Sequence, residues 1–579
     1  MKARRSWVAW AALAALTAFA VFVLPFQFPL SLPVSSEAYA AGENNKVAAI
    51  AVVLLSVLAT AVLWRWGRSH DADVSPHQSQ LGWRWLAAME AVALAFTAGL
   101  GSLMVRAGDD YGEAAYFLAQ LETGLRLHRT IYRGFEFAYG PLLYAWPAFW
   151  VKALTPLHVS SAAAYVVALA LMQLAGFGLL FYTVNALPIA RSLKMVANIA
   201  FLLGSLSPSL GLNYSIFRFL CPLAIVVSMS RRKTVAAAAL VAAAGVAVNF
   251  AVSPEMGIGF AAACAAYGLY RGTISGWSWL TVAGAGLAGG TAFAWLGGPA
   301  YFLTMRNLAH GGFNLIVAPE PRTIALLVAV VALAPVAVAR WLRAGQTLPA
   351  ETAMLLGIYC IALSLVPVAL GRCDAVHEYF DGLAAFLLSL VAVNAAAQTQ
   401  GSRVRARVWV GCVVFAAVLN QKAAQHLYWE SELMLIVPDR QEDASQGVDV
   451  QALERVLGGE PVILVNDVPP AVHRKLLADG LLAPSYFRAM TAVWDQSAEQ
   501  KKIEDMRLAR FALLSMGGVA NPPQDWNSDG TVRRWAALGL HYRQKRSPYV
   551  PGFLLQDELR ANWVVAGAFG EYVLYRRLR

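Results

Sequence analysis

Apolar residues run along this chain in blocks of roughly 15–25, long enough as helices to cross a hydrocarbon core. Short clusters of Lys and Arg separate the blocks. The pattern predicts a polytopic α-helical membrane protein up to about residue 424, followed by a region without such blocks. Basic residues orient the helices, because Lys and Arg are retained on the cytoplasmic side. Lys2, Arg4 and Arg5 place the N-terminus inside. Spans near 7–31, 47–64 and 85–105 then leave 106–139 external as a first loop. Arg191 and Lys194 read as cytoplasmic, so only one crossing fits before them, and the block 162–185 takes it. The apolar segment 140–154, with Pro141, Pro147 and several aromatics, is therefore placed in the interface or as a re-entrant piece. Further spans are expected near 195–208, 217–230, 234–252, 256–270, 277–296, 323–340, 352–370, 381–397 and 408–424. The total is about 13 transmembrane helices.

The remainder, 425–579, is expected to be a small soluble α/β domain outside the membrane. Pro461–Asn466 and Arg510–Ser515 have strand patterns, Pro470–Asp479 a helical one, and Trp563–Ala566 with Tyr572–Tyr575 a closing hairpin. It has no nucleophile elbow and no phosphate-binding glycine loop, so a lid or sugar-binding module suits it best. At the other end, the basic residues before the run from Trp7 to Leu30 resemble a signal peptide, and Ala38-Tyr39-Ala40 a cleavage site. The run is longer than a usual signal core, which favours an uncleaved anchor.

Composition agrees with a membrane chain: 58% of residues are apolar and 14% charged, against about 25% charged in soluble domains. A net charge of +11 would suit a nucleic-acid partner. Here the cations are spread between apolar blocks and form no basic groove, so nucleic acid is excluded. The five cysteines show no CxxC or CxxH spacing, which supports neither a disulfide framework nor a zinc site.

Candidate chemistry gathers on the external side. Asp109 and Asp110 follow the third span, within Arg106-Ala-Gly-Asp-Asp-Tyr-Gly-Glu113. Adjacent carboxylates repel, so one of them has a raised pKa or a cation neutralises the pair. The first case suits a general base, the second a divalent metal such as Mg or Mn. Tyr132–Tyr144 follows, with Glu136, Tyr139 and the rigid turn Gly140-Pro141 among aromatics that either anchor the chain at the interface or stack on sugar rings. Arg372, Asp374 and His377 lie within six residues at another external helix end. Arg372 suits bidentate phosphate binding, Asp374 would orient Arg372 or His377, and His377 titrates near neutrality. Asn213-Tyr214 with Arg218, Ser253-Pro254-Glu255, and Arg306 with Asn307 and His310 share that face. Any one of these last three, taken alone, reads more as a helix-end anchor than as a site, and the alternative for the Arg372 group is an interfacial salt-bridge knot.

An acidic pair after an outward span, then an amphipathic stretch and Tyr139-Gly140-Pro141-Leu142, resembles the first external loop of the glycosyltransferase C superfamily. These polytopic enzymes use lipid-phosphate-linked sugars and include protein O-mannosyltransferases, aminoarabinose transferases and arabinofuranosyltransferases. The resemblance covers about residues 85–425. It implies that Asp109 or Asp110 acts on the acceptor, as base or through a metal. It implies a polyprenyl-phosphate sugar donor and a glycan, lipid or protein acceptor, and Arg372, Asp374 and His377 resemble an Arg-x-Asp-x-x-His pattern of bacterial members. Arg218, Arg306, His310, Glu255, Glu136 and Tyr139 join them as substrate-side candidates because the topology brings them to the same external face. A bacterial inner membrane is the expected setting. A ligase or polymerase of lipid-diphosphate glycans, and a non-catalytic transporter or assembly subunit, are the alternatives. The first differs in its donor; the second would carry charge at the span centres.

Overall fold

The structure is a computed structural model, and it describes residues 2–29, 36–40, 42–66, 80–107, 112–206, 211–309, 314–345, 347–399, 411, 448–466, 468–487, 493, 495–515 and 552–578. The expected span near 408–424 lies outside these.

The apolar blocks form long helices. In chain order they are α1 (Lys2–Phe22), α2 (Asn45–Trp66), α3 (Trp83–Ala107), the shorter α4 (Gly112–Arg126) and α5 (Leu142–Leu154), then α6 (Ser161–Ala186), α7 (Arg191–Gly204), α8 (Ile216–Ser230), α9 (Val235–Val252), α10 (Pro254–Ser275), α11 (Leu280–Ala309), α12 (Pro321–Ala344), α13 (Pro349–Arg372) and α14 (Ala375–Thr399). Among the described residues, eight helices are long and apolar enough to cross a membrane. The chain is thus a helical, polytopic membrane protein. Segment 140–154 is mostly the helix α5, packed against α6 and α9. The stretch 297–322 is not all loop: α11 runs to Ala309 and breaks at Gly298, where φ is +73° and Pro299 follows.

Two ends of the bundle are distinguished by their polar contacts. At the basic end, Asn185 Oδ1 accepts from the Leu81 amide (3.0 Å) and the Asn185 carbonyl from Lys194 Nζ (2.9 Å). Asn394 accepts from the Ala190 amide at 3.0 Å, and Arg343 donates to the Leu63 carbonyl at 2.7 Å. At the opposite end, Asn45 Nδ2 donates to the carbonyls of Leu315 and Leu370, at 2.8 and 3.0 Å. Arg218, Glu255, Arg372, Asp374 and His377 lie on this side: α8, α10 and α14 begin there, and α9 and α13 end there.

The C-terminal region forms α15 (Val450–Leu457), β1 (Val462–Leu464), α16 (Pro470–Ala478), α17 (Gln496–Arg507), β2 (Phe511–Ser515), α18 (Phe553–Asn562), β3 (Trp563–Phe569) and β4 (Tyr572–Arg577). The sheet order is β1-β2-β4-β3, with β1 parallel to β2 and the other pairs antiparallel. Strand alternation sends Val462, Leu464, Phe511 and Leu513 to one core with α15 and α16. Ile463, Val465, Ala512 and Leu514 go to a second core with α17 and α18. Helices therefore cover both faces, and this is why β1 is apolar throughout.

Candidate functional site

The first loop is shaped by turns before it reaches the bundle. After α4, the amides of Gly134 and Tyr132 donate to the carbonyls of Thr130 (2.7 Å) and Phe135 (2.8 Å), and Tyr132 adopts a left-handed φ of 67°. The Tyr132 hydroxyl donates to the carbonyl of Tyr139. Gly140 then presses against the end of α9: its amide donates to Val252 O at 3.1 Å, and a Cβ there would lie 2.3 Å from the Ala251 carbonyl oxygen. Only glycine permits that approach, and it delivers Tyr139 to the start of α8.

There Tyr139 meets Arg218. The guanidinium stands 4.8 Å from the centres of both the Tyr139 and Phe219 rings, a cation–π arrangement. Asn213 Nδ2 donates to the Tyr139 hydroxyl at 3.2 Å, and Arg218 Nη1 donates to the Asn213 carbonyl at 2.6 Å. Arg218 Nη2 pairs with Glu255, which also accepts from Ser253 Oγ. The sequence Ser253-Pro254-Glu255 explains that placement. Ser253 precedes α10, Pro254 takes its first position, and Glu255 sits in the first turn, where the helix dipole favours an anion.

The second cluster forms at the turn between α13 and α14. The sequence suggested a loop from Gly371 to Phe380; the helices leave only Cys373 and Asp374 between them. Asp374 caps α14, its Oδ1 accepting from the amides of Val376 (3.0 Å) and His377 (2.9 Å). Asp374 also contacts His377 Nδ1 at 2.9 Å and Arg372 Nε at 3.7 Å. Burial works to raise the Asp374 pKa. The side-chain and backbone hydrogen bonds of His377, with the charge of Arg372, outweigh it and hold the carboxyl at about 2. An ionised Asp374 requires a proton on Nδ1, and His377 Nε2 lies 3.1 Å from the Tyr214 hydroxyl. Arg372 and Asp374 are about one-third exposed, so this cluster opens outward, whereas Arg218 is closed off.

The two clusters are joined by Asp381, buried on the second turn of α14 within electrostatic reach of Arg218, Glu255 and Asp374. The sequence reading passed over Asp381 because it stands at the edge of an apolar run. An acid entering a span is nevertheless the available signal. Arg322 and Thr323 were also missed. Both hold Glu378 of α14, Arg322 at 3.3 Å, and Arg322 also pairs with Glu320. Only the tertiary fold brings these together.

Other candidates lie apart. Glu136 is buried among the loop aromatics, its amide donating to the Tyr486 carbonyl of the C-terminal domain at 2.9 Å. Burial pushes its carboxyl up to about 8. Arg306 is exposed on the segment of α11 beyond Gly298. Asp109, Asp110 and His310 fall outside the described residues, so the metal expected at the acidic pair has no described ligands. Among the described residues no group of three or more His, Cys, Asp or Glu converges to hold a metal ion.

No family model matches the sequence, and no curated protein does. Among solved structures, the chain is similar to the archaeal oligosaccharyltransferase AglB from Archaeoglobus fulgidus, in complex with an inhibitory peptide and a dolichol-phosphate. The TM-score is 0.42 and the identity 10%, over 81% of this chain and 69% of that one.

Proposed function

We propose that the protein is a membrane glycosyltransferase that moves a sugar from a polyprenyl-phosphate-linked donor to a glycan, lipid or protein acceptor on the extracytoplasmic side. One observation carries the reading: Arg372, partly exposed and steadied by Asp374, lies at the same helix-end face as the buried Arg218–Glu255 pair. A lipid-linked donor keeps its tail in the bilayer and its phosphate at headgroup depth. Such a phosphate needs a cation at a helix end, where water is limited and the guanidinium fork is pre-aligned.

In the proposed reaction the acceptor hydroxyl attacks the anomeric carbon. Asp109 or Asp110 takes the hydroxyl proton or orients it, the C1–O bond to phosphate breaks, and polyprenyl phosphate leaves with the electron pair. Arg372 stabilises the departing charge. His377, held by Asp374 and Tyr214, keeps the Asp374 carboxylate in place beside Arg372. Arg218 acts differently: its charge is balanced by Glu255, so it sets the field at the site without direct access to donor.

The transporter alternative calls for polar groups near mid-membrane. Asp381 lies six residues into α14, about 9 Å along the helix, and so belongs to the outer end.

The test is donor dependence in nanodiscs. Arg372→Lys keeps the charge but loses the planar fork, and is expected to raise the donor KM; Arg372→Ala should raise it further. Unchanged donor affinity and turnover in both variants would remove Arg372 from the site.

A further inference from the structure

The C-terminal domain carries no nucleophile elbow or phosphate-binding glycine loop in its sequence, but its described contacts with the first loop are specific. On α16, Arg474 Nε lies 3.4 Å from Glu122 Oε2 of α4, and His473 Nε2 lies 3.2 Å from Thr123 Oγ1. Arg126 Nη2 donates to the Ala478 carbonyl at the C-terminal end of α16, where a cation is favoured, at 2.6 Å. A second contact comes from Tyr486. Its carbonyl accepts from the Glu136 amide at 2.9 Å, and its hydroxyl donates to the Tyr132 carbonyl at 3.3 Å.

Tyr486 is itself held firmly. Asp505 of α17 accepts from the Tyr486 amide at 2.6 Å and from Ser485 Oγ at 3.2 Å. The buried Lys502, one turn away, donates to the carbonyls of Leu464 and Phe487 and to Ser485 Oγ, at 2.6, 2.7 and 3.0 Å. Three acceptors satisfy an ammonium that burial would otherwise penalise. The 485–487 segment is thus tied to both α17 and β1, and it meets a loop that has no regular structure from Leu127 to Gly140. Such a loop loses conformational freedom when fixed, and external contacts must compensate.

We propose that the C-terminal domain is a positioning device for the donor side of the site: through Arg474 and Tyr486 it fixes the first loop and thereby holds Tyr139 over Arg218. The path is short. Tyr486 holds Tyr132, the Tyr132 hydroxyl holds the Tyr139 carbonyl, and the Tyr139 ring covers the Arg218 guanidinium. Arg474 and Tyr486 touch no substrate in this arrangement and are positioning residues. The inference rests on the reading of that face as the donor site.

The test uses the full chain in nanodiscs and reads two quantities: hydrogen–deuterium exchange of residues 127–139, and the donor KM. Arg474→Glu sets a carboxylate against Glu122. It is expected to speed exchange of the loop about tenfold and raise KM about fivefold, with kcat altered less than about twofold. Glu122→Arg combined with Arg474→Glu restores the attraction and should return both quantities to within about twofold of the parent. Arg474→Lys and Tyr486→Phe are milder variants, whose smaller shifts in the same direction guard against a folding defect. Unchanged exchange in Arg474→Glu, or faster exchange with an unaltered KM in an active enzyme, overturns the proposal. Exchange is read without donor. Faster exchange in a chain that turns over no donor would therefore support the clamp and remove the glycosyltransferase reading. Unchanged exchange in an active enzyme would do the reverse.

Discussion

Arg218 and Glu255 meet at the point where α8 and α10 begin, with side-chain exposures of 5% and 18%. A pair so enclosed costs much of its Coulomb energy in desolvation, yet removing one partner strands the other. Glu255→Gln is therefore expected to destabilise the protein by about 3–5 kcal/mol. Replacing both residues by apolar ones of similar size should cost less than either single change. Thermal unfolding in a fixed detergent checks the order of the three variants.

Gly140 has the tightest backbone approach in the first loop, since a Cβ would lie 2.3 Å from the Ala251 oxygen. Gly140→Ala must displace the loop from α9. A loss of about 1–3 kcal/mol is expected, as for an overpacked core. Because Tyr139 moves with it, fluorescence quenching or exchange at the loop should change beyond what the stability loss alone produces.

Glu136 supplies a pH dependence at the same loop. Burial raises its carboxyl from an ordinary value of 4.5 to about 8. Between those two values the unfolded chain is ionised while the native loop keeps the proton. The Glu136 contribution is thus fully present below about 4.5 and declines by roughly 1.4 kcal/mol per pH unit. The decline ends as the native carboxyl ionises near 8, leaving a charge in the seam with the C-terminal domain. Protection of residues 127–139, taken relative to intrinsic exchange at each pH, should fall as pH rises from about 4.5 to about 8 in the parent chain and level off above, and should show no such fall in Glu136→Gln. Asp374 works with the opposite sign. Held at about 2 by His377 and Arg372, it contributes stability that is fully present above its ordinary value of 3.8 and is lost as pH falls from there through about 2.

The bundle was largely legible in the sequence, because apolar length and basic clusters follow from the thickness of a bilayer. Helix ends were harder to read. Spans read near 352–370 and 381–397 left Gly371–Phe380 between them, since Arg372, Asp374, His377 and Glu378 interrupt the apolar runs. In the fold Arg372 pairs with Asp374 and Glu378 with Arg322, and Asp374 caps the helix, so α14 begins at Ala375. The Asp374 cap was visible in retrospect as an acid just before an amphipathic turn. The meeting of Arg218 with Glu255, and of His377 with Tyr214, was not legible, because no local pattern records which helices are neighbours. The break of α11 at Gly298-Pro299 was signalled by its dipeptide, and the helix beyond it was not.

His377 is expected to matter through its neighbours. Tyr214→Phe removes the hydroxyl 3.1 Å from Nε2 and leaves the ring, so folding should be retained. If His377 steadies Asp374 beside Arg372, His377→Ala should raise the donor KM more than Tyr214→Phe does. His377→Asn, which keeps a donor in a shorter reach, should recover part of the loss. Equal effects of all three on kcat alone would separate His377 from the phosphate side.

The central claim is transfer from a lipid monophosphate sugar with first-loop carboxylate chemistry. The most direct measurement is single-turnover release of polyprenyl phosphate from labelled polyprenyl-phosphate sugars by the purified chain in nanodiscs, comparing the parent with Asp109→Asn and Asp110→Asn. The account predicts release by the parent in the presence of acceptor, and a loss of about 10²–10⁴ in rate for at least one variant. No release from any monophosphate donor, or near-parental rates in both variants, would contradict it.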